Sequence, residues 1–162
     1  MKKIVLVISM LLMTLACSAQ KNWFVGGTAG IGYNEYFYFA IEPQFGYEFT
    51  SRWAIGSGVG MVLASNNGNT GVMGVAEPFV RFNAWNNEKV FVDLKATAGV
   101  GFTDELISFQ VGIVPSLRFR INEHWDMAAD LGLFGAKYNR ESWSPAFGIN
   151  SINVGMWVAY RF

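Results

Sequence analysis

The sequence predicts an all-β fold, an eight-stranded antiparallel up-and-down β-barrel preceded by a cleaved helical signal peptide. Three observations lead to this prediction. The chain begins with a short basic and apolar leader, later stretches alternate between apolar and polar residues, and a proline recurs at nearly equal intervals. We therefore expect a signal peptide over residues 1–19 and a barrel domain over residues 20–162.

The leader has the layout of an export signal. Two lysines follow Met1, residues 4–16 are predominantly apolar, and small residues end at Ala19 before the polar Gln20. A basic start, a short apolar core and a small-residue cleavage site are typical of secretory signal peptides. A membrane-spanning helix needs about 20 apolar residues, so the run is too short for a retained anchor. Cleavage after Ala19 makes Gln20 the first mature residue.

Cys17 is the only cysteine and permits a second interpretation of the leader. In a lipoprotein signal, the cysteine after a small residue is acylated and becomes the new N-terminus. Ala16 fits that motif, but Thr14 stands where the motif usually has Leu. Ordinary cleavage is therefore favoured over lipidation, and it removes Cys17 from the mature chain.

Composition limits the partners and the chemistry. Without the two leader lysines, ten basic residues face twelve acidic ones, so no electrostatic attraction to nucleic acid is expected. A mature chain without cysteine has no disulfide framework and no cysteine-based metal site, and we expect no cofactor. The chain is 52% hydrophobic, yet after the leader no stretch is apolar for long enough to form a membrane helix. Its hydrophobicity must follow another pattern.

That pattern is alternation along eight segments. In residues 37–49 the odd positions are Phe, Ile, Pro or Tyr, and both charges stand at even positions. Successive strand residues point to opposite faces, so one face is apolar and the other polar. A segment of about ten residues is long enough for a tilted strand to span a bilayer. The segments cover residues 23–31, 37–50, 53–63, 76–83, 92–101, 107–122, 125–133 and 152–162.

A weak internal repeat supports this count. Pro43, Pro78 and Pro115 occupy matching places in the second, fourth and sixth segments, and a short turn closed by a large apolar residue follows each. The repeating unit is a β-hairpin, used four times. A proline cannot donate to the strand ladder, so the three prolines predict bulges or ladder defects in the wall of the barrel.

Two architectures fit eight alternating strands. A soluble lipocalin-like barrel puts the apolar face inside, whereas a membrane barrel puts it outside. The membrane barrel is favoured because the apolar faces carry no charge, because glycine on the other face leaves little polar coverage, and because aromatic rings crowd one end, as in an interfacial girdle. The girdle residues are Phe49, Trp53, Phe82, Trp85, Phe119, Trp125, Tyr160 and Phe162.

The signal peptide, the eight strands and the terminal Tyr160-Arg161-Phe162 together resemble a known family. The chain is similar to small outer-membrane β-barrel proteins of the OmpX and OmpA-transmembrane-domain type over essentially the whole mature chain. The resemblance implies that Tyr160 and Phe162 belong to the signal that the barrel-assembly machinery recognises. It implies outer-membrane lipid as the surroundings, export through the inner membrane, and a monomer. The chain departs from OmpX in its short outer loops and from full-length OmpA in lacking a periplasmic domain.

The inward charges are the main candidate site. A buried charge is costly unless it is partnered, so we expect a network of ion pairs that fills the lumen. An eight-stranded barrel is just wide enough for side chains to fill, which favours such a plug over a channel lining. The predicted network comprises Glu42, Glu48, Glu77, Arg81, Asp93, Lys95, Arg118, Arg120, Asp126, Asp130 and Arg161.

Catalysis is not expected. The only histidine, His124, lies in a predicted turn on the periplasmic side, away from the outer leaflet where lipid A could be modified. No Ser/His/Asp arrangement and no metal-ligand spacing is present. We expect no catalytic residue, no cofactor site and no metal site.

The outer loops are the second candidate. Three are short, at Asn34-Glu35, residues 65–70 and residues 103–105, and the longest is expected over residues 137–145. That loop carries Tyr138, Arg140 and Trp143, residue types that anchor protein contacts. The favoured interpretation places Tyr138 and Trp143 in an outer aromatic girdle.

The sequence therefore predicts an integral outer-membrane barrel with a filled lumen and a structural or surface-interaction role. A narrow porin-like channel and a soluble periplasmic binding barrel are the alternatives. No ligand or surface partner can be named from these patterns.

Overall fold

A computed structural model describes residues 22–34, 36–66, 69–103, 107–139, 142–148 and 155–162. The predicted signal peptide, with Cys17 and Gln20, lies outside the described residues. Within those ranges all regular structure is β-strand, and none of it is a helix that is long and apolar enough to cross a membrane.

The described residues form ten strands. They are β1 (Trp23–Asn34), β2 (Tyr36–Glu48), β3 (Trp53–Asn66), β4 (Asn69–Asn87), β5 (Val90–Phe102), β6 (Ile107–Arg120), β7 (Trp125–Asp130), β8 (Leu133–Asn139), β9 (Ser142–Gly148) and β10 (Met156–Arg161). β7 and β8 both pair with β6, while β9 pairs with β8 and β10 pairs with β7. β7 and β8 are therefore two parts of one wall strand, and β9 and β10 are two parts of another, so the wall has eight strands.

The sheet closes on itself. Neighbouring strands are antiparallel throughout, and β1 pairs with β10 from Phe24↔Arg161 to Ala29↔Met156. Closure leaves no free edge along this seam, which is how a barrel satisfies its backbone hydrogen bonds. The predicted closed, antiparallel, eight-stranded, all-β barrel is confirmed.

Two ends of the barrel are distinguished below. The turn end carries both described chain ends and the turns that follow β2, β4 and β6; the loop end carries the connections that follow β1, β3, β5 and β8. Side-chain oxygens hold two of the turns: Thr50 Oγ1 accepts from the backbone N of Arg52 and Trp53, and Asn122 Oδ1 accepts from the backbone N of His124 and Trp125. Such side-chain bonds to nearby backbone are why Thr and Asn favour turns.

The two faces of the wall differ sharply. On β5 the side chains of Asp93, Lys95 and Thr97 are buried, whereas Leu94 between them is exposed. The same alternation places most large apolar side chains of the other strands outside, with Ile31 68% exposed. The outer surface of the barrel is therefore apolar, whereas its interior holds the charged side chains together with a few buried aromatic rings.

The alternation changes phase between β7 and β8. Gly132 has a φ of 115° at the junction, and three residues here stand opposite two on β6, because Ser116 pairs with Asp130 and Ile113 pairs with Phe134. The extra residue is a bulge, which reverses the inside–outside order beyond it. The alternation in the predicted segment 125–133 puts its odd positions, Leu133 among them, on the apolar outer face. For Leu133 this prediction is wrong: Leu133 is 4% exposed inside the barrel, and Phe134 is 44% exposed outside.

A second bulge lies near the turn end of β4. Asn83 pairs with Asp93 and Trp85 pairs with Val92, so Ala84 is the extra residue. The bulge explains how both Phe82 and Trp85 can belong to the outer face although they are three residues apart.

The prolines coincide with breaks in the ladders, as expected. Pro43 pairs with Gly27 on β1 but interrupts the ladder to β3, and Pro78 pairs with Ser57 on β3 but interrupts the ladder to β5. Neither break shifts the register. Pro115 pairs with Leu94 and stands where β6 exchanges β7 for β8 as its partner. The missing N–H of each proline is tolerated because each proline lies where one of its two flanking ladders is interrupted.

One loop prediction is wrong. The long outer loop expected over residues 137–145 is mostly strand, because β8 extends to Asn139 and β9 starts at Ser142. Tyr138 pairs directly with Trp143 across this hairpin. Sequence alone missed the hairpin because the Lys137–Pro145 stretch alternates weakly in polarity.

Candidate functional site

The inward faces of the strands bring the predicted charges together inside the barrel, in two groups. The arginine group consists of Glu48, Arg81, Asp93, Arg118, Arg120, Asp126 and Arg161. The lysine group consists of Glu42, Gln44, Glu77, Lys95, Gln110, Ser116 and Asp130. On each strand that contributes to both, the residue of the arginine group lies nearer the turn end.

Arg118 is the centre of the arginine group. Its Nε lies 2.6 Å from Asp93 Oδ2 and its Nη1 lies 2.9 Å from Asp126 Oδ2, and each carboxylate side chain is 1% exposed. Asn83 Nδ2 donates a further hydrogen bond to Asp93 Oδ1 at 2.8 Å. The planar guanidinium has several fixed donors and can therefore satisfy two buried carboxylates from neighbouring strands at once.

The ion pairs continue around the interior. Asp126 also accepts from Arg161 Nη2 at 3.2 Å, Arg161 Nη1 lies 4.0 Å from Glu48 Oε2, and Glu48 Oε1 accepts from Arg81 Nη2 at 2.7 Å. A chain of alternating charges thus runs through β5, β6, β7, β10, β2 and β4 in the order Asp93, Arg118, Asp126, Arg161, Glu48 and Arg81. It connects six of the ten described strands across the lumen.

The lysine group is organised by one amine. Lys95 Nζ lies 2.9 Å from Asp130 Oδ2 and 3.8 Å from Glu77 Oε1. Ser116 Oγ donates to Asp130, and Gln110 Nε2 donates to Glu77 at 2.9 Å. Two carboxylates therefore share one ammonium ion and several neutral donors, and with Glu42 this level of the lumen is more acidic than the arginine group.

Glu42 completes the lysine group through a hydrogen bond. Its Oε1 accepts a 2.9 Å hydrogen bond from Gln44 Nε2, which also donates to Thr28 Oγ1. The Glu42 side chain lies against Gly58, where a Cβ would overlap its carboxylate. Gly58 on β3 therefore leaves the space that the Glu42 carboxylate occupies inside the barrel.

Aromatic rings fill the space between the charges. Phe24 is 0% exposed, with its centroid 6.0 Å from that of Trp157 and 6.5 Å from that of Phe79. Arg81 Cζ lies 4.8 Å from the Phe24 centroid, and Arg118 Cζ lies 4.3 Å from that of Phe91. Guanidinium groups stacked on aromatic faces gain a cation–π attraction that strengthens as water is excluded.

Two glycines make room for these rings. A Cβ at Gly46 would overlap the Phe24 ring, and one at Gly56 would overlap the Phe79 ring. The inward glycines are therefore paired with large inward side chains on neighbouring strands, which is how a narrow barrel fills its interior.

Little space is left at the junction of the two groups. A cavity of about 20 Å³ is bounded by Arg81, Asp93 and Arg118 of the arginine group and by Gln44, Lys95 and Asp130 of the lysine group. A single water molecule needs roughly 10–15 Å³ measured in this way. This cavity therefore has room for about one water molecule.

No cluster of three or more His, Cys, Asp or Glu side chains in the described ranges is arranged to hold a metal ion. His124 lies in an exposed turn, where its Nδ1 is 3.0 Å from the backbone O of Arg161 and its ring stacks on Tyr160 at 5.4 Å.

The remaining predicted residues lie outside the lumen. Tyr160 packs against Trp125 and Phe162 at the turn end, with ring centroids 5.3 and 5.2 Å apart, and the backbone N of Phe162 donates to Trp23 O. Tyr138 packs against Trp143 and Phe109 near the loop end. Arg140 lies outside the described residues.

Sequence reasoning selected the interior charges but missed the residues packed among them. Phe24, Phe79 and Trp157 occupy inward positions in the alternation, yet their type suggested no role in a polar lumen. Phe91 and Asn83 lie at the margins of their predicted segments. These residues could have been found from their position, because an aromatic residue on the charged face of a strand is a side chain that fills the lumen.

Comparison with known proteins adds no family assignment, since neither a protein-family model nor a curated protein gives a significant match to the chain.

Proposed function

We propose that this protein is an integral outer-membrane β-barrel whose interior is closed by side chains, with a structural or surface-interaction role in the cell envelope. The observation that carries the proposal is the reversed polarity of the wall: apolar side chains lie outside and ion pairs lie inside. The signal peptide predicted for residues 1–19 supplies the export step.

The outer face supports a lipid environment. Phe39, Ile41 and Phe45 on β2 and Val111 and Ile113 on β6 are all exposed on the outside of the barrel. Water-soluble proteins rarely expose apolar surface of this extent, whereas the outward band of a membrane barrel consists of it.

The aromatic residues support the same surroundings. Trp23 packs against Tyr47 and Trp53 against Phe82 at the turn end, with centroids 5.3 and 4.6 Å apart. Trp143 and Phe102 are exposed near the loop end. Bands of aromatic rings at both ends of an apolar wall match the two membrane–water interfaces.

The interior supports closure rather than conduction. A porin-type lumen is filled with water. Here the guanidinium groups of Arg81 and Arg118 pair with carboxylates and stack on aromatic rings. An eight-stranded barrel is just wide enough for side chains to fill.

Family and partners follow as part of the proposal. The resemblance to small barrels of the OmpX and OmpA type, together with the terminal Tyr160 and Phe162, favours insertion by the barrel-assembly machinery. Outer-membrane lipid is the proposed environment, and a monomer the proposed state.

Fractionation and a gel assay test the location. Expressed with its leader, the chain should sediment with outer membranes, resist carbonate extraction and migrate differently on a denaturing gel before and after boiling. Recovery in the soluble periplasm without a heat-dependent shift would favour a periplasmic binding barrel and overturn the proposal.

Planar-bilayer recording tests the closed interior. The purified wild-type protein should give no steady single-channel current. Steady current that disappears when Arg118 and Arg120 are neutralised would instead support the narrow channel and overturn the plug.

A further inference from the structure

The small cavity at the junction of the two charged groups contains an unusual wall residue. Trp157 lies on the inner face of β10 and is 6% exposed, and its indole Nε1 has no hydrogen-bond partner among the described residues. Three other buried polar atoms in the described ranges also lack a partner, on Thr97, Arg120 and Arg161, but none of those residues borders the cavity. Trp157 alone combines an unpaired donor with this space.

Buried tryptophan N–H groups almost always find an acceptor, because an unpaired donor in a water-free interior is unfavourable. No acceptor of the described residues is placed to receive the Trp157 N–H directly. The two carboxylates that border the cavity are held by other donors, Asp93 by Arg118 and Asn83, and Asp130 by Lys95 and Ser116. These oxygens nevertheless keep lone pairs that a small bridging molecule can use.

The size of the cavity and its polar lining indicate which small molecule can bridge these groups. About 20 Å³ is enough for one water molecule. An ordered internal water needs two to four polar partners. Trp157 can donate to it, while Asp93, Asp130 and Ser116 on the walls can accept from it.

We propose that the barrel binds one long-lived water molecule at this site, which accepts a hydrogen bond from Trp157 Nε1 and donates to carboxylates of the arginine and lysine groups. The water makes the two groups one hydrogen-bonded unit. This site depends only on the interior of the barrel and not on where the barrel resides.

The test uses the indole N–H signals of the mature, folded protein labelled with ¹⁵N. The chain has six tryptophans. The other five, Trp23, Trp53, Trp85, Trp125 and Trp143, are exposed on the outer face. The Trp157 signal is assigned as the one that disappears in Trp157→Phe.

The expected result is a cross-peak between Trp157 Hε1 and water in a water-selective NOESY spectrum, with the sign of a water bound for longer than nanoseconds. Ala128→Val is expected to abolish this cross-peak, because Ala128 borders the cavity and the added methyl groups occupy it. Ala129→Val is the matched control: it adds the same atoms at the next position of β7, on the opposite face, and should leave the cross-peak unchanged.

Either of two results would overturn the proposal: a folded wild-type protein without the cross-peak, or a cross-peak that survives in folded Ala128→Val. Folding of each variant is checked by its dispersed amide spectrum. If Ala128→Val does not fold, Ala128→Ser serves in its place, because its hydroxyl enters the cavity and should shift or remove the Trp157 cross-peak. A barrel recovered as a soluble protein would contradict the proposed membrane location and still allow this measurement, so the two failures are distinguishable.

Discussion

Arg118 and Asp93 form a deeply buried ion pair, with Nε and Oδ2 2.6 Å apart and side chains that are 5% and 1% exposed. The two residues lie on adjacent strands and are linked to Asp126 on the other side of β6. The energetic importance of the plug can therefore be tested at one residue.

Replacement of Arg118 by Met should destabilise the barrel by about 3–5 kcal/mol, because two buried carboxylates lose their main counter-charge. The measurement is the free energy of unfolding from urea titration of tryptophan fluorescence in detergent micelles or vesicles. Arg120→Met is the control, since the Arg120 side chain is 34% exposed and its Nε is 3.7 Å from Asp126. Arg120→Met should lower the free energy of unfolding by about 1 kcal/mol. Equal losses in the two variants would contradict a central role for Arg118.

Gly46→Ala should destabilise the barrel by about 1–3 kcal/mol, because the added methyl group overlaps the Phe24 ring and the backbone O of Ile55. Gly71→Ala should change stability by less than about 0.5 kcal/mol, because nothing lies within 4 Å of its Cβ position. Both are measured by the same urea titration. Adding Phe24→Leu to Gly46→Ala should recover part of the loss; a purely additive double variant would argue against steric coupling of these residues.

Ile113→Lys tests the outer face. Ile113 lies in the middle of β6 and is 48% exposed on the outside. In a bilayer its replacement by lysine should cost about 2–4 kcal/mol, whereas Ile121→Lys, just beyond the turn end of β6, should cost about 0–1 kcal/mol. The folded fraction in lipid vesicles is measured across a urea series. A negligible effect of Ile113→Lys would be the result for a wall that faces water.

Gly132→Ala tests the bulge. Its φ of 115° is a conformation that L side chains rarely adopt, so alanine should destabilise the barrel by about 1–3 kcal/mol. Gly30→Ala provides the comparison, because the nearest atom to its Cβ position is 3.9 Å away on Ala40. Its expected change is below about 0.5 kcal/mol. If both variants unfold at the same urea concentration, the φ of Gly132 is not a constraint on this barrel.

Much of the wall could be predicted from sequence because its signal is local. The alternation along β2 and β6 depends only on neighbouring residues, and it placed Glu42, Arg118 and their neighbours on the inner face. The prolines at positions 43, 78 and 115 also marked where ladders are interrupted, since the missing N–H is a property of the residue itself.

The errors arose where alternation is broken by partner strands. Leu133 was assigned to the outside because nothing near it in sequence signals that the β7–β8 wall strand carries an extra residue opposite β6. The hairpin at Tyr138 and Trp143 differs from the predicted loop because residues 137–145 alternate weakly, and β8 is held in the sheet by its pairing with β6. In both cases the register between strands, and not the pattern within one strand, determines the outcome.

The sequence by itself determined the barrel, its strand count and the polarity of its two faces, because a period of two residues is a local property of strands. Only the tertiary structure decided which charges meet. Arg118 could have paired with any of six inward carboxylates, and its choice of Asp93 and Asp126 follows from the register of β5, β6 and β7 in the closed sheet. Barrel closure sets the distances between residues far apart in sequence, and ion pairing depends on those distances.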